Sequence, residues 1–133
     1  MAVRFLLDTN ILSDLVRHPH GSVARRLTDV GEAAICTSII VACEMRYGAA
    51  KKNADTLSER IDALLNAIEV VPFEEEADRH YAIVRQELTR AGRLIGPNDL
   101  SIAAHALALN LTLVSANIDE FSRVPDLVVE SWL

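Results

Sequence analysis

Aromatic residues make up only 5% of the 133 positions while half are hydrophobic, so any core must be aliphatic, and the length suffices for one such core rather than two. The two cysteines, Cys36 and Cys43, lie too far apart and too far from histidine to read as a zinc site. They read as reduced, buried thiols of a cytoplasmic protein. Positive charge is also short: the formal net charge is −6, which excludes a nucleic-acid binder with a basic surface throughout. The thirteen basic side chains can still form a local basic patch. No membrane segment is expected, because Met1–Leu7 meets Asp8 too early for a signal peptide and Ile102–Val114 is broken by His105, Asn110 and Thr112. Repeats, linkers and low-complexity tracts are lacking too, so residues 1–133 are expected to form one domain.

What is present is an alternation of short apolar runs and helical patterns. Val3–Asn10 reads as a buried strand that delivers Asp8 to its C-terminal tip, with Thr9 or Asn10 capping a helix that carries Ile11, Leu12, Leu15 and Val16. His18-Pro19-His20-Gly21 breaks that helix, and a second is expected over 22–30. A strand over 33–37 leads to Ser38, which opens a largely apolar helix holding Glu44 and ended by Gly48 and Lys51-Lys52-Asn53. An amphipathic helix is expected over 56–67 and a strand over 68–73, placed at a sheet edge or end by Pro72. Glu74-Glu75-Glu76 open a further helix that runs to Ala91 and stops at Gly92. Gly96-Pro97 then turns the chain, Asn98 is a natural cap, and Asp99 begins a helix over 100–108. A strand over 112–115, a loop over 116–120 and a last strand over 127–130 complete the chain. This alternation predicts an α/β fold, a three-layer α/β/α domain with a central, mostly parallel sheet.

Three acids stand at junctions of this pattern. A carboxylate removed from water is costly unless it is protonated, paired or bound to metal. Asp8 and Asp99 could simply serve helix ends, whereas Glu44, with Ile40, Val41, Tyr47 and Gly48 around it, has no polar surface to explain it. If the three converge, oxygen-only ligands select a hard divalent ion, Mg2+ or Mn2+. The matching reaction is phosphodiester hydrolysis, with one ion or two about 4 Å apart.

The segments Leu6-Leu7-Asp8-Thr9-Asn10, Ser38…Glu44…Tyr47-Gly48-Ala49, Arg90–Asp99 and Leu113-Val114-Ser115-Ala116-Asn117…Glu120-Phe121 together resemble the PIN-domain ribonucleases of the VapC toxin type, in order and over essentially the whole chain. The resemblance implies that Asp8, Glu44 and Asp99 bind the metal, that Thr9 and Asn10 support Asp8, and that RNA, such as tRNA, is cut. It further implies a small VapB-type antitoxin that blocks the site and links the pair to operator DNA, and self-association as a homodimer. The chain departs from the pattern at one place, where many PIN domains have a fourth acid and this one has Asn117. An amide oxygen there could still ligate or orient water, and Asp119 is the other candidate.

Arg46, Lys51, Lys52 and Arg93 lie close to these acids in sequence and are the candidate phosphate contacts. Arg85 is expected to pair with acids such as Glu87, the four histidines to be structural, and Trp132 to pack the last strand. Two other functions remain open at this point. Asp8 could be the nucleophile of an aspartyl-phosphate enzyme, although Asn10 occupies the place where such chemistry wants a second acid. A PIN-like scaffold without metal, acting only as a binding module, is the other, with Asn117 in its favour.

Overall fold

The computed structural model describes residues 2–133. Along the chain the elements are β1 (Phe5–Leu7), α1 (Thr9–Arg17), α2 (Ser22–Val30), a single 3-10 turn, β2 (Ile35–Ser38), α3 (Ile39–Lys52), α4 (Asp55–Ala67), β3 (Glu69–Val71), α5 (Ala77–Ala91), α6 (Pro97–Leu109), β4 (Thr112–Val114), α7 (Ile118–Phe121) and β5 (Val129–Glu130). The five strands form one sheet in the order β3-β2-β1-β4-β5. Every pairing is parallel, with Phe5 opposite Ile35 and Leu6 opposite Leu113.

Each residue of β1 and β2 is buried. Side chains of a strand alternate between faces, so both faces of the sheet centre must be covered by helices. From β1 the chain winds outward to β3, then crosses back to β4 on the other side of β1 and continues to β5. The winding direction reverses between β1 and β4, and the crevice outside their C-terminal ends is where open α/β sheets bind ligands. The core is aliphatic, with Leu6, Leu7, Ile11, Leu12, Ile102 and Leu113 fully buried. Trp132 closes it at the other end, edge-on to Phe5 at 5.2 Å.

Local chemistry moves several boundaries from where the residue pattern puts them. Asp8, rather than Thr9 or Asn10, is the N-cap of α1: its carboxylate accepts from the Thr9 amide. Gly48 lies inside α3, which runs on to Lys52 and ends at Asn53 in the left-handed region. Glu74-Glu75-Glu76 precede α5 instead of opening it, because Glu76 has φ 77° and cannot continue a right-handed helix. Gly92, with φ 66°, ends α5 where expected. Gly96, not Asn98, occupies the cap of α6, with Pro97 at its first turn and Asp99 two residues further in. Residues 116–120 are not all loop, since α7 makes one helical turn there. Cys43 is exposed while Cys36 is buried, against the expectation that both are interior. Arg85 donates to the Tyr81 hydroxyl at 2.9 Å and not to an acid.

Candidate active site

The crevice at the β1/β4 reversal is built from the end of β1 outward. Asp8 follows Leu7 directly, and its amide donates to the Val114 carbonyl, so the strand pairing itself sets its position. The side chain is 2% exposed and held by three donors: the Thr9 amide at 2.8 Å, the Ser115 hydroxyl at 2.8 Å and the Asn10 side-chain amide at 3.4 Å. Burial raises its pKa, the Ser115 and Thr9 hydrogen bonds oppose that rise, and the charges of Glu44 and Glu120 add to it. Asn10 also reaches across to β4, where its side-chain oxygen accepts from the Ala116 amide at 3.0 Å. It thereby ties the loop after β4 to the start of α1.

Glu44 sits partway along α3 and is half-buried. The Thr9 hydroxyl donates to one carboxylate oxygen and the Asn98 amide, at 3.3 Å, to the other. One acid is therefore gripped from α1 and α6 together. Asp99, one residue beyond Asn98, has its pKa pushed up to about 7. Burial is the largest cause, followed by the charges of Glu120 and Asp8, a hydrogen bond with the Glu120 carboxyl, and the charge of Glu44.

Glu120 is the residue that sequence reasoning missed. It lies on α7, half-buried, and one carboxylate oxygen accepts from the Gly96 amide at 3.2 Å. Its charge acts on both Asp8 and Asp99. The signal that could have found it is the spacing Asn117-Ile118-Asp119-Glu120: an Asn able to cap a helix, followed three residues later by an acid, is a helix start. Once that turn is helical, Glu120 faces inward, while Asn117 and Asp119 are exposed. Asn117 sits at the cap of α7 and its amide donates to the Ser115 hydroxyl at 3.0 Å.

The structure thus brings together Asp8, Glu44, Asp99 and Glu120, with Thr9, Asn10, Asn98 and Ser115 as their neutral hydrogen-bond partners. The basic candidates are spread more widely. Arg46 is engaged in an ion pair with Asp62 on α4, Lys51 lies over the Tyr47 ring, and Arg93 is exposed on the segment leading to α6. Lys52 joins Thr9, Glu44, Met45, Leu57 and Ile61 in lining a groove of about 210 Å3 that leads away from the acids between α1, α3 and α4.

The four carboxylates come from four parts of the chain, and the charges of Glu44 and Glu120 add to what burial does in raising the proton affinity of Asp8 and Asp99. An oxygen-only donor set of this kind suits a hard divalent ion and is unsuited to zinc. Among the described residues no three His, Cys, Asp or Glu side chains stand as a ready-made ligand set. Mg2+ retains several waters and takes one or two carboxylates directly, so the cluster fits such an ion with the remaining acids acting through water.

The PIN domain model matches residues 5–127. Ribonuclease VapC2 of Rickettsia felis is 37% identical over 130 residues, covering 96% of this chain and 97% of that protein. The tRNA(fMet)-specific endonuclease VapC of Shigella flexneri is 34% identical over 134 residues, covering 98% of each. Among solved structures, VapBC2 from Rickettsia felis bound to a promoter DNA fragment matches with a TM-score of 0.92 and 35% identity, over 98% of this chain and 100% of that one. DNA-bound VapBC from Salmonella typhimurium matches with a TM-score of 0.93 and 30% identity, over 98% and 99%.

Proposed function

The chain belongs to the PIN-domain family, and from that premise we propose that it is a divalent-metal-dependent endoribonuclease, the toxin of a toxin–antitoxin pair, acting as one PIN-like domain in the cytoplasm. The observation that carries the reading is the convergence of Asp8, Glu44, Asp99 and Glu120 at the β1/β4 crevice. The same convergence answers the inactive-scaffold alternative. Asn117 was its support, and Glu120 restores a fourth negative charge. The aspartyl-phosphate alternative loses ground because Asn10, in place of a second acid, is committed to Asp8 and to the Ala116 amide.

Asp8, Asp99, Glu44 and Glu120 would hold Mg2+, for which Mn2+ can stand in. A divalent ion held there would supply a water of lowered pKa and positive charge for the developing oxyanion. Asp8 is aimed by the Ser115 hydroxyl and the Thr9 amide, so its remaining lone pairs stay fixed toward the crevice. Glu44 is oriented by two neutral donors, the Thr9 hydroxyl and the Asn98 amide, and is placed to accept a proton from an attacking water. Asp99, whose pKa is raised by burial and by Glu120, must lose its proton before it can act as a ligand. Lys52 in the adjoining groove and exposed Arg93 are suited to phosphate contacts. The Lys51 ammonium beside Tyr47 and the Arg46–Asp62 pair leave those two cations further contributors to RNA contact.

The substrate class proposed is structured RNA, with tRNA foremost, since the Shigella flexneri relative is named for tRNA(fMet) cleavage. The partner proposed is a VapB-type antitoxin that covers the site and contacts operator DNA on behalf of the pair, in keeping with the VapBC–DNA structures. A homodimer is the proposed assembly. The test is cleavage of tRNA by the purified protein with Mg2+ and with EDTA, beside Asp8→Asn and Asp99→Asn. EDTA should abolish cleavage and each substitution should lower it by about 100-fold or more. Equal cleavage in all four would overturn the reading.

A further inference from the structure

His105 is 1% exposed and lies on α6, six residues beyond Asp99. Its Nδ1 is 2.8 Å from the Ser38 hydroxyl. Ser38 is the N-cap of α3, its oxygen already accepting from the Ile40 amide at 3.0 Å, so its own proton is free to be donated to Nδ1. The other ring nitrogen is left to donate to the Pro72 carbonyl, at the end of the β3 segment. Phe73 packs edge-on to the ring at 5.3 Å. Burial lowers the imidazole pKa, which keeps the ring neutral and Nδ1 available as an acceptor.

The placement of this contact relates it to the acids. Glu44 is six residues beyond Ser38 on α3, and His105 is six residues beyond Asp99 on α6, so each acid lies about 9 Å along its helix from the same hydrogen bond. Two rigid helices joined at one point hold their other ends at a fixed separation. The Asn98–Glu44 hydrogen bond closes the opposite end of the same frame.

We propose that His105 is a positioning residue for the acid cluster: through the Ser38 hydroxyl it sets where α3 begins, and so where Glu44 stands relative to Asp99. This inference rests on the reading of the acids as a divalent-metal site. His105→Asn and His105→Gln separate the two contacts of the ring. The shorter amide can still meet Ser38 but leaves Pro72, while the longer one reaches Pro72 and leaves Ser38.

The experiment is calorimetric titration of Mn2+ into the parent and both variants, with amide exchange at Ile40 followed in metal-free protein and urea unfolding as the measure of stability. His105→Gln should weaken Mn2+ binding by about 10-fold or more and speed Ile40 exchange, while His105→Asn stays near the parent in both. Ser38→Ala should reproduce the His105→Gln effect, and the double variant should be no worse than either single one, as a shared contact requires. Should His105→Gln not fold, Ser38→Gly breaks the same contact at little cost to the helix cap. Unchanged Mn2+ affinity in His105→Gln, or equal weakening in both His105 variants in step with lost stability, overturns the proposal. A parent protein that binds no Mn2+ overturns the metal-site reading itself, and the inference with it.

Discussion

Glu44 and Asp99 meet the same crevice with different neighbours. Glu44 has a hydroxyl and an amide as partners, whereas Asp99 has other acids, Glu120 first among them. In the metal-free protein Asp99 therefore retains a proton to about pH 7 that the unfolded chain releases near 3.8. Stability is lost as pH rises through that window, because the unfolded state gains a charge that the folded state resists. Asp99→Asn should match the parent near pH 4 and exceed it by about 2 kcal/mol at pH 8, after discounting the shift for partial exposure. Urea unfolding in EDTA at the two pH values measures this. Glu120→Gln should lower RNA cleavage by about 10- to 100-fold while Asp119→Asn leaves it unchanged, as single-turnover assays would read. Asp8, Glu44 and Asp99 were legible from sequence because each stands at a strand end or in an apolar helix, where burial has to be explained. Glu120 was not, because its inward aim depends on one turn of α7 too short to leave a hydrophobic period.

At the scale of elements, strand positions and helix types were readable from apolar periodicity, while caps were not. A cap is decided by which side chain finds a partner, and here the partners come from distant segments. Asn98, a natural cap by composition, instead donates to Glu44, and Asp8 caps α1 because β4 fixes its backbone. The start of α5 shows the same limit. Three consecutive acids suit a helix N-terminus electrostatically, yet Glu76 turns the chain at φ 77° just before the helix. A residue without a Cβ adopts that conformation at less cost, so Glu76→Gly should stabilise the protein by about 0.5–1 kcal/mol, seen as a higher urea midpoint with unchanged slope.

For the whole molecule, the order β3-β2-β1-β4-β5 was foreseeable only as an alternating α/β pattern. Which strand lies beside β1 depends on contacts between the two ends of the chain. The assembled molecule carries a net charge of −6 and gathers four of its acids in one crevice, so a divalent cation should stabilise it as a unit. Thermal unfolding with and without Mn2+ should show a gain of about 2.7 kcal/mol at a hundredfold excess over Kd. At one fixed Mn2+ concentration the gain should be larger at pH 8 than at pH 5, where protons compete for Asp99 and raise Kd, and EDTA should erase it. Asp8 and its clamp, Ser115, stand 107 positions apart in the chain, and its fellow acid, Glu120, follows later still. A ribosome making this chain thus carries an inert polypeptide until Ser115 and Glu120 have been added and can fold back onto Asp8, and the nuclease is armed only then.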